Sequence, residues 1–213
     1  MDIKPGDSVI EFACGEGNMS RAFHEAGAKV TGADISPELI ELAKKNSPAE
    51  IEYMVSPADD MSAIADKSYD KAAIVLALQN IEKDREVVAE MSRVIKDDGR
   101  IVIVLNHPCF RIPKQSSWGF AEDHSVQYRK IERYISDSRE TIEMHPGDKT
   151  SETTVSFHHP LQHYFKAFDK AGLAVTRLEE WVSEKNSVGA RADAENRARK
   201  EIPMFMALVL KKI

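Results

Sequence analysis

Residues 69–78, YDKAAIVLAL, are apolar almost throughout, with no alternation of polar and apolar positions. A strand of that pattern belongs at the centre of a parallel sheet, with cover on both faces. RIVIVLN, 100–106, is a second buried run of the same kind. Shorter strands are expected at 8–12 (SVIEF), 28–33 (AKVTGA) and 51–55 (IEYMV). Between them lie helical stretches. NMSRAFHEA, 18–26, ends at Gly27, and DISPELIELAKKN has Ser36 as N-cap and Pro37 at its first helical position. EKDREVVAEMSRVIKDDG, 82–99, is amphipathic with a glycine stop. Strands alternating with helices at this spacing specify an α/β architecture with a parallel sheet. At 213 residues the chain has the length for one sizeable core.

The rhythm breaks at Asn106. From 107 to 150 the chain is aromatic and polar and has no long helix. QYRKIERYI and RETIEMH flank Ser136-Asp137-Ser138, which predicts a small hairpin, and TTVSFHH (153–159) supplies a third strand. Pro160 then opens a helix closed by Gly172, LAVTRLEEWVS and MFMALVLKK are the closing strands, and 191–201 is a charged helix between them. The layout is a single domain over 1–213, with an insertion or cap at about 107–158. That cap, with exposed strand edges, is a candidate homodimer contact.

The balance of 29 basic and 35 acidic residues, net −6, lacks the basic footprint of a nucleic-acid binder. Two cysteines, Cys14 and Cys109, with no CxxC pair, fit a reducing compartment. No apolar run reaches the ~18 residues of a membrane span, and the start has no signal-like segment, so a cytoplasmic protein is expected.

The chemistry is concentrated in VIEFACGEGNMSRAF, 9–23. Gly15 and Gly17 strip side chains from a strand-to-helix turn, so a ligand can sit against backbone amides and a helix N-terminus. Asp34, nineteen residues after Gly15 at the tip of the second strand, is placed to accept two hydrogen bonds from a ribose diol. Ordinary turn packing for the glycines, and a helix N-terminal charge beside Ser36 for Asp34, are the blander alternatives. The dinucleotide fingerprint is incomplete, with Ser20 where a third glycine belongs. Glu11 and Glu16 flank the turn, where they would repel a pyrophosphate but suit a ligand bearing an ammonium group. S-adenosylmethionine is such a ligand.

Taken in order, EFACGEGN, VTGADIS, PADDMSAIADKSYD, AAIVLALQNIE and VIKDDGRIVIVLNHP resemble the successive motifs of the class I S-adenosylmethionine-dependent methyltransferases. They are most similar to the small-molecule branch grouped with methyltransferase type 11 domains, over about residues 8–108. The resemblance implies a Rossmann-like fold with a mostly parallel seven-stranded sheet, an antiparallel last strand and a small antiparallel β insertion after the fifth strand. It places Glu11 near the methionine end of the cofactor, Gly15 and Gly17 at its close approach, and Asp34 on the ribose. Ile35 lies against the adenine, Ala58 and Asp59 sit in the loop at the adenine edge, and Leu76 ends the fourth strand. Ala13 stands at the family's first glycine of the turn and Asn18 at its third, and Pro57 replaces an aspartate that many relatives aim at the adenine. Relatives carry one or two helices before the first strand. Here the insertion or a partner subunit is expected to roof the site.

Methyl transfer from a sulfonium is an in-line displacement, so the main task is alignment in a dry pocket, and a base is needed only for a weakly acidic acceptor. His107 after the fifth strand and His158 in SFHHP are the candidate bases; Gln79, Trp118 and Tyr128 are candidate substrate residues. His159 and His163 stand four apart, but Pro160 makes His159 a cap and no acidic or cysteine ligand lies at suitable spacing, so no metal is expected. The leading expectation is methylation of a small, partly apolar molecule at oxygen, nitrogen or carbon. An RNA base as acceptor, or a non-catalytic S-adenosylmethionine-binding partner protein, are the competing ones. A nicotinamide oxidoreductase is disfavoured by the acidic turn.

Overall fold

The computed structural model describes residues 1–143 and 153–213. Its main sheet is built from β1 (Ser8–Phe12), β2 (Lys29–Asp34), β3 (Glu52–Val55), β4 (Tyr69–Val75), β5 (Ile95–Asn106), β10 (Leu173–Trp181) and β11 (Phe205–Lys212). The strand order is β10-β11-β5-β4-β1-β2-β3. The pairs β1–β2, β1–β4, β2–β3 and β4–β5 are parallel, and β11 runs antiparallel to both β5 and β10. The strand order reverses between β1 and β4, and open α/β sheets bind ligands at such a switch, beyond the strand C-termini.

Local chemistry sets the helices. In α2 (Pro37–Lys45) the Ser36 hydroxyl accepts from the Leu39 amide at 3.2 Å, with Pro37 at the first position, as expected. α1 (Asn18–Glu25) starts at Gly17, whose φ is 74°. In α3 (Asp84–Val94), Val87, Val88, Met91 and Val94 pack with Ile74, Ile101 and Ile103 of the sheet, joined by Tyr164 and Phe168 of α4 (Leu161–Lys170). The other face is narrower: Val9, Phe23, Val30 and Ala73 form a second cluster under α1. Beyond α1 that face is open, and Val75, Val102, Val104, Ala207 and Val209 line an apolar cleft of about 720 Å³. The central strands are thus closed over on the α3–α4 face and only partly on the α1 face.

The insertion differs from the predicted three-stranded unit. β6 (Ser116–Phe120) pairs with β7 (Gln127–Ile131), and β8 (Ser138–Glu143) pairs with β9 (Thr153–His158), giving two separate two-stranded ribbons. SSWGF does not read as a strand because it holds serine and glycine. It pairs because Tyr128 lies over the bare Gly119 and Arg129 sits 5.1 Å over the Trp118 ring. The chain turns at 133–136, where the Ser136 amide donates to the Arg133 carbonyl, and Ser138 already opens β8, so 136–138 is not a hairpin turn; the end of RETIEMH lies outside the described residues. α5 (Ala192–Glu201) forms where the charged stretch is. Among the described residues no helix is long and apolar enough to cross a membrane.

Candidate active site

The bend after β1 is held open by backbone geometry. Ala13 and Gly15 have φ of 51° and 54°. A β-carbon built on Gly15 would meet nothing within 4 Å, so the bend presents bare backbone to open space. Asp34 closes its far side. Its Oδ2 accepts from the Gly15 amide at 2.8 Å and its Oδ1 from the Ser36 amide at 3.0 Å. An ionised carboxylate has about four acceptor sites, so one remains on each oxygen for a vicinal diol. The residue is buried, and its position is locked by the two elements it joins.

Glu11, on β1 below the bend, is also buried, and its Oε2 accepts from the Ser20 hydroxyl at 2.5 Å. Burial pushes its carboxyl up to about 7, helped by the nearby charge of Asp34 and opposed by the Ser20 hydrogen bond. Ser20, the mismatch in the dinucleotide fingerprint, is therefore the side chain that holds Glu11. Nothing in its spacing points to that contact. Burial likewise raises the Cys14 thiol far above its ordinary range, so Cys14 is an inert packing residue here.

Gly17 has a different use from Gly15. A β-carbon there would collide with the Tyr53 ring, and one on Gly32 would come 2.7 Å from Tyr53 Cε1. Tyr53, anchored by a 2.9 Å hydrogen bond between its hydroxyl and Ser47 Oγ, lies in the space left by both glycines. Asn18 Oδ1 accepts from Arg21 in the first turn of α1. Ile35 is 70% exposed directly after Asp34, an apolar side chain in solvent beside the ribose acceptor. Leu76, half-exposed, has φ of 55°, and Gln79 Nε2 donates to its carbonyl at 2.6 Å, bracing that strained turn. Ala58 is buried, while Asp59 pairs with Lys83 at 2.8 Å.

Residues 10–103 match the family model described as a methyltransferase domain. S-adenosylmethionine is the cofactor of this family. The chain is 34% identical over 109 residues to the demethylmenaquinone methyltransferase of Paenarthrobacter aurescens, covering 51% of this chain and 42% of that protein. It is 26% identical over 102 residues to a ubiquinone biosynthesis O-methyltransferase of Xanthomonas campestris, covering 46% and 43%. The chain thus spans less than half the length of these relatives. Its fold is that of an S-adenosylmethionine-dependent methyltransferase from Mesorhizobium loti, with a TM-score of 0.77 at 23% identity over 98% of this chain and 92% of that one.

Beyond residues 10–103, the candidate catalytic residues sit differently. His107 is buried; its Nδ1 accepts from the Cys109 amide at 3.2 Å, and its Nε2 lies 2.8 Å from Glu180 Oε1. Both ring nitrogens are engaged. His158 is buried too, but only its Nε2 is used, donating to the Tyr134 carbonyl at 2.8 Å. That fixes the tautomer and leaves Nδ1 with a lone pair. Burial lowers the imidazole below its ordinary range. His158, Gln79, Arg111, Ser156 and Tyr164 line one narrow cleft. Gln79 Oε1 is buried there without a hydrogen-bond partner, an acceptor oriented for a donor. Arg111, which the sequence did not single out, is partly buried, and that desolvation lowers its guanidinium. Trp118 faces a separate surface recess with Gln127, Ser183, Arg199 and Met204, and Tyr128 is exposed on Gly119. The structure brings Gln79 and His158 together and sets Trp118 and Tyr128 apart.

Proposed function

We propose that this chain transfers the methyl group of S-adenosylmethionine to a small, partly apolar acceptor. The observation that carries the reading is the coupled pair at the bend: Asp34, with one free acceptor site on each oxygen, beside the bare Gly15. The ribose diol lies on Asp34, the ammonium end is directed to Glu11, and exposed Ile35 and Leu76 supply apolar cover for the adenine and the reaction edge. The named relatives act in quinone biosynthesis, which supports an acceptor with a ring hydroxyl or an activated ring carbon.

The cofactor supplies an electrophilic methyl group, and the chain's own residues hold and align. For a hydroxyl acceptor, the free Nδ1 of His158 takes the proton and the unpartnered Gln79 Oε1 orients the donor. His107 braces β5 against Glu180 and acts through position alone.

The test is isothermal calorimetry with S-adenosylmethionine and S-adenosylhomocysteine, followed by methylation assays on hydroxylated quinone precursors with labelled cofactor. Stoichiometric binding and label transfer are expected. Binding without transfer to any precursor would leave a cofactor-binding protein, and absence of binding would remove the reading altogether.

A further inference from the structure

Four side chains from three distant stretches of chain converge where the insertion meets α3 and α4. His163 Nε2 lies 2.6 Å from Asp84 Oδ2, and His159 Nδ1 lies 3.0 Å from Asp137 Oδ1. The two imidazoles stack, with centroids 3.8 Å apart and planes 7° apart. Ligand atoms of Asp84, His159 and His163 all fall within 4.8 Å of one another. The sequence spacing offered no acidic partner for this histidine pair; the fold supplies one at the start of α3 and one before β8.

We propose that Asp84, His159 and His163 form a binding site for a divalent transition metal of the zinc class, with Asp137 orienting His159 through its hydrogen bond and solvent completing the coordination. The donor set is two imidazole nitrogens and one carboxylate, which suits zinc and is poor for magnesium or calcium, whose sites are built from oxygen. Asp84 and Asp137 together balance a dipositive ion. They also offset the helix N-termini of α3 and α4, whose partial positive charge opposes a cation. Asp84 is 4% exposed and the Tyr164 ring stands edge-on to both imidazoles, so two of the ligands are held against a water-poor wall.

Two local changes accompany loading. Parallel rings cannot aim both lone pairs at one ion, so His159 turns out of the stack; it lies in the link just before Pro160, with its side chain 15% exposed. Arg85 Nη2, 3.3 Å from His163 Nδ1, moves away, and that nitrogen then carries the ring proton. The ion ties the link after β9 to the N-terminal turns of α3 and α4, with Asp137 before β8 joined through His159.

The experiment takes the full chain, strips it with a chelator, and titrates it with Zn²⁺ and, separately, Co²⁺. Expected are one ion per chain, strong visible absorption from four-coordinate Co²⁺ that Zn²⁺ displaces, and a rise in Tm of about 5–10 °C at a hundredfold excess over Kd. His159→Ala and Asp84→Asn should each weaken binding at least about tenfold, and Arg85→Gln should tighten it by removing a competing cation. Circular dichroism on each variant reports folding independently of the metal. Substoichiometric uptake by the wild type would overturn the proposal. So would unchanged affinity in folded His159→Ala, which would assign the ion to other surface histidines.

Discussion

The Ser20 hydroxyl donates to Glu11 Oε2 at 2.5 Å, nine residues apart in sequence and directly beneath the open bend. Burial pushes that carboxyl from its ordinary 4.5 up to about 7. The folded chain therefore binds more protons than the unfolded chain between those limits, so stability without ligand falls as pH rises from 4.5 to 7. A cationic ammonium reverses the preference. S-adenosylmethionine should bind more tightly at pH 8 than at pH 6, releasing a proton, whereas adenosine should show no such trend. Calorimetry of both ligands across that range, in buffers of different ionisation enthalpy, measures it. Equal pH profiles for the two would disprove contact between Glu11 and the ammonium.

Glu11→Gln keeps the shape and removes the charge. In the ligand-free protein at pH 8 it should raise stability by about 1–3 kcal/mol, since an ionised buried carboxylate is costly there. It should also flatten the pH dependence of S-adenosylmethionine affinity. Urea unfolding at pH 5 and pH 8 checks the first part, with the gain confined to the higher pH.

Asp34→Ala removes both free acceptor sites and leaves the Gly15 and Ser36 amides without their partner. S-adenosylmethionine affinity should fall by about 1.5–3 kcal/mol, as for hydrogen bonds to a charged acceptor. Asp34→Asn keeps a single acceptor oxygen, so it satisfies one of the two amides and turns an NH2 donor toward the other. Urea unfolding of both variants reports the scaffold separately, and a loss of affinity larger than the loss of stability identifies the diol.

The sheet was legible because its central strands are continuous apolar runs bounded by turn signals. The run AAIVLAL forms strand only through Val75, and its last three residues turn away at Leu76, which apolarity alone does not signal. Asp34 was legible for a related reason, since its position at a strand tip follows from the strand itself. The insertion was not. Its strands are short and half-exposed, so polar residues such as Ser116 and Ser117 carry no periodic signal, and a glycine serves as a seat for Tyr128. The partners of His159 and His163 were invisible because both carboxylates arrive through tertiary packing, one from 79 residues upstream of His163. The division of labour between Gly15 and Gly17 also needed the fold, because only the position of Tyr53 distinguishes them.

Ala13 occupies a left-handed backbone conformation with φ of 51°, which an L-residue adopts at a cost of about 1–2 kcal/mol. The Cys14 amide after it donates to the Ala33 carbonyl at 2.9 Å, so the turn has no freedom to relax. Ala13→Gly relieves the strain but adds entropy to the unfolded chain, about 0.4–1 kcal/mol against it. A net gain of about 0–1.6 kcal/mol is expected, read as an equal or higher Tm with S-adenosylmethionine affinity unchanged. A lower Tm would show that the methyl group of Ala13 packs usefully.

Gly15 and Gly17 both have positive φ, so alanine at either carries similar backbone strain. Their surroundings separate them. Gly15 faces open space, so its new methyl group projects where the cofactor has to approach. Gly17 faces Tyr53, so its methyl group has to displace a ring held by Ser47. Gly15→Ala should lose most of its S-adenosylmethionine affinity, at least about tenfold, while unfolding at about 1–2 kcal/mol below wild type. Gly17→Ala should lose stability beyond that strain, by a further 1–3 kcal/mol or so for overpacking. Tyr53→Phe in the Gly17→Ala background should recover part of the loss, because it frees the ring from Ser47. Equal stability for the two single variants would show that Tyr53 moves aside at no cost, and equal cofactor affinity would place the ligand away from Gly15.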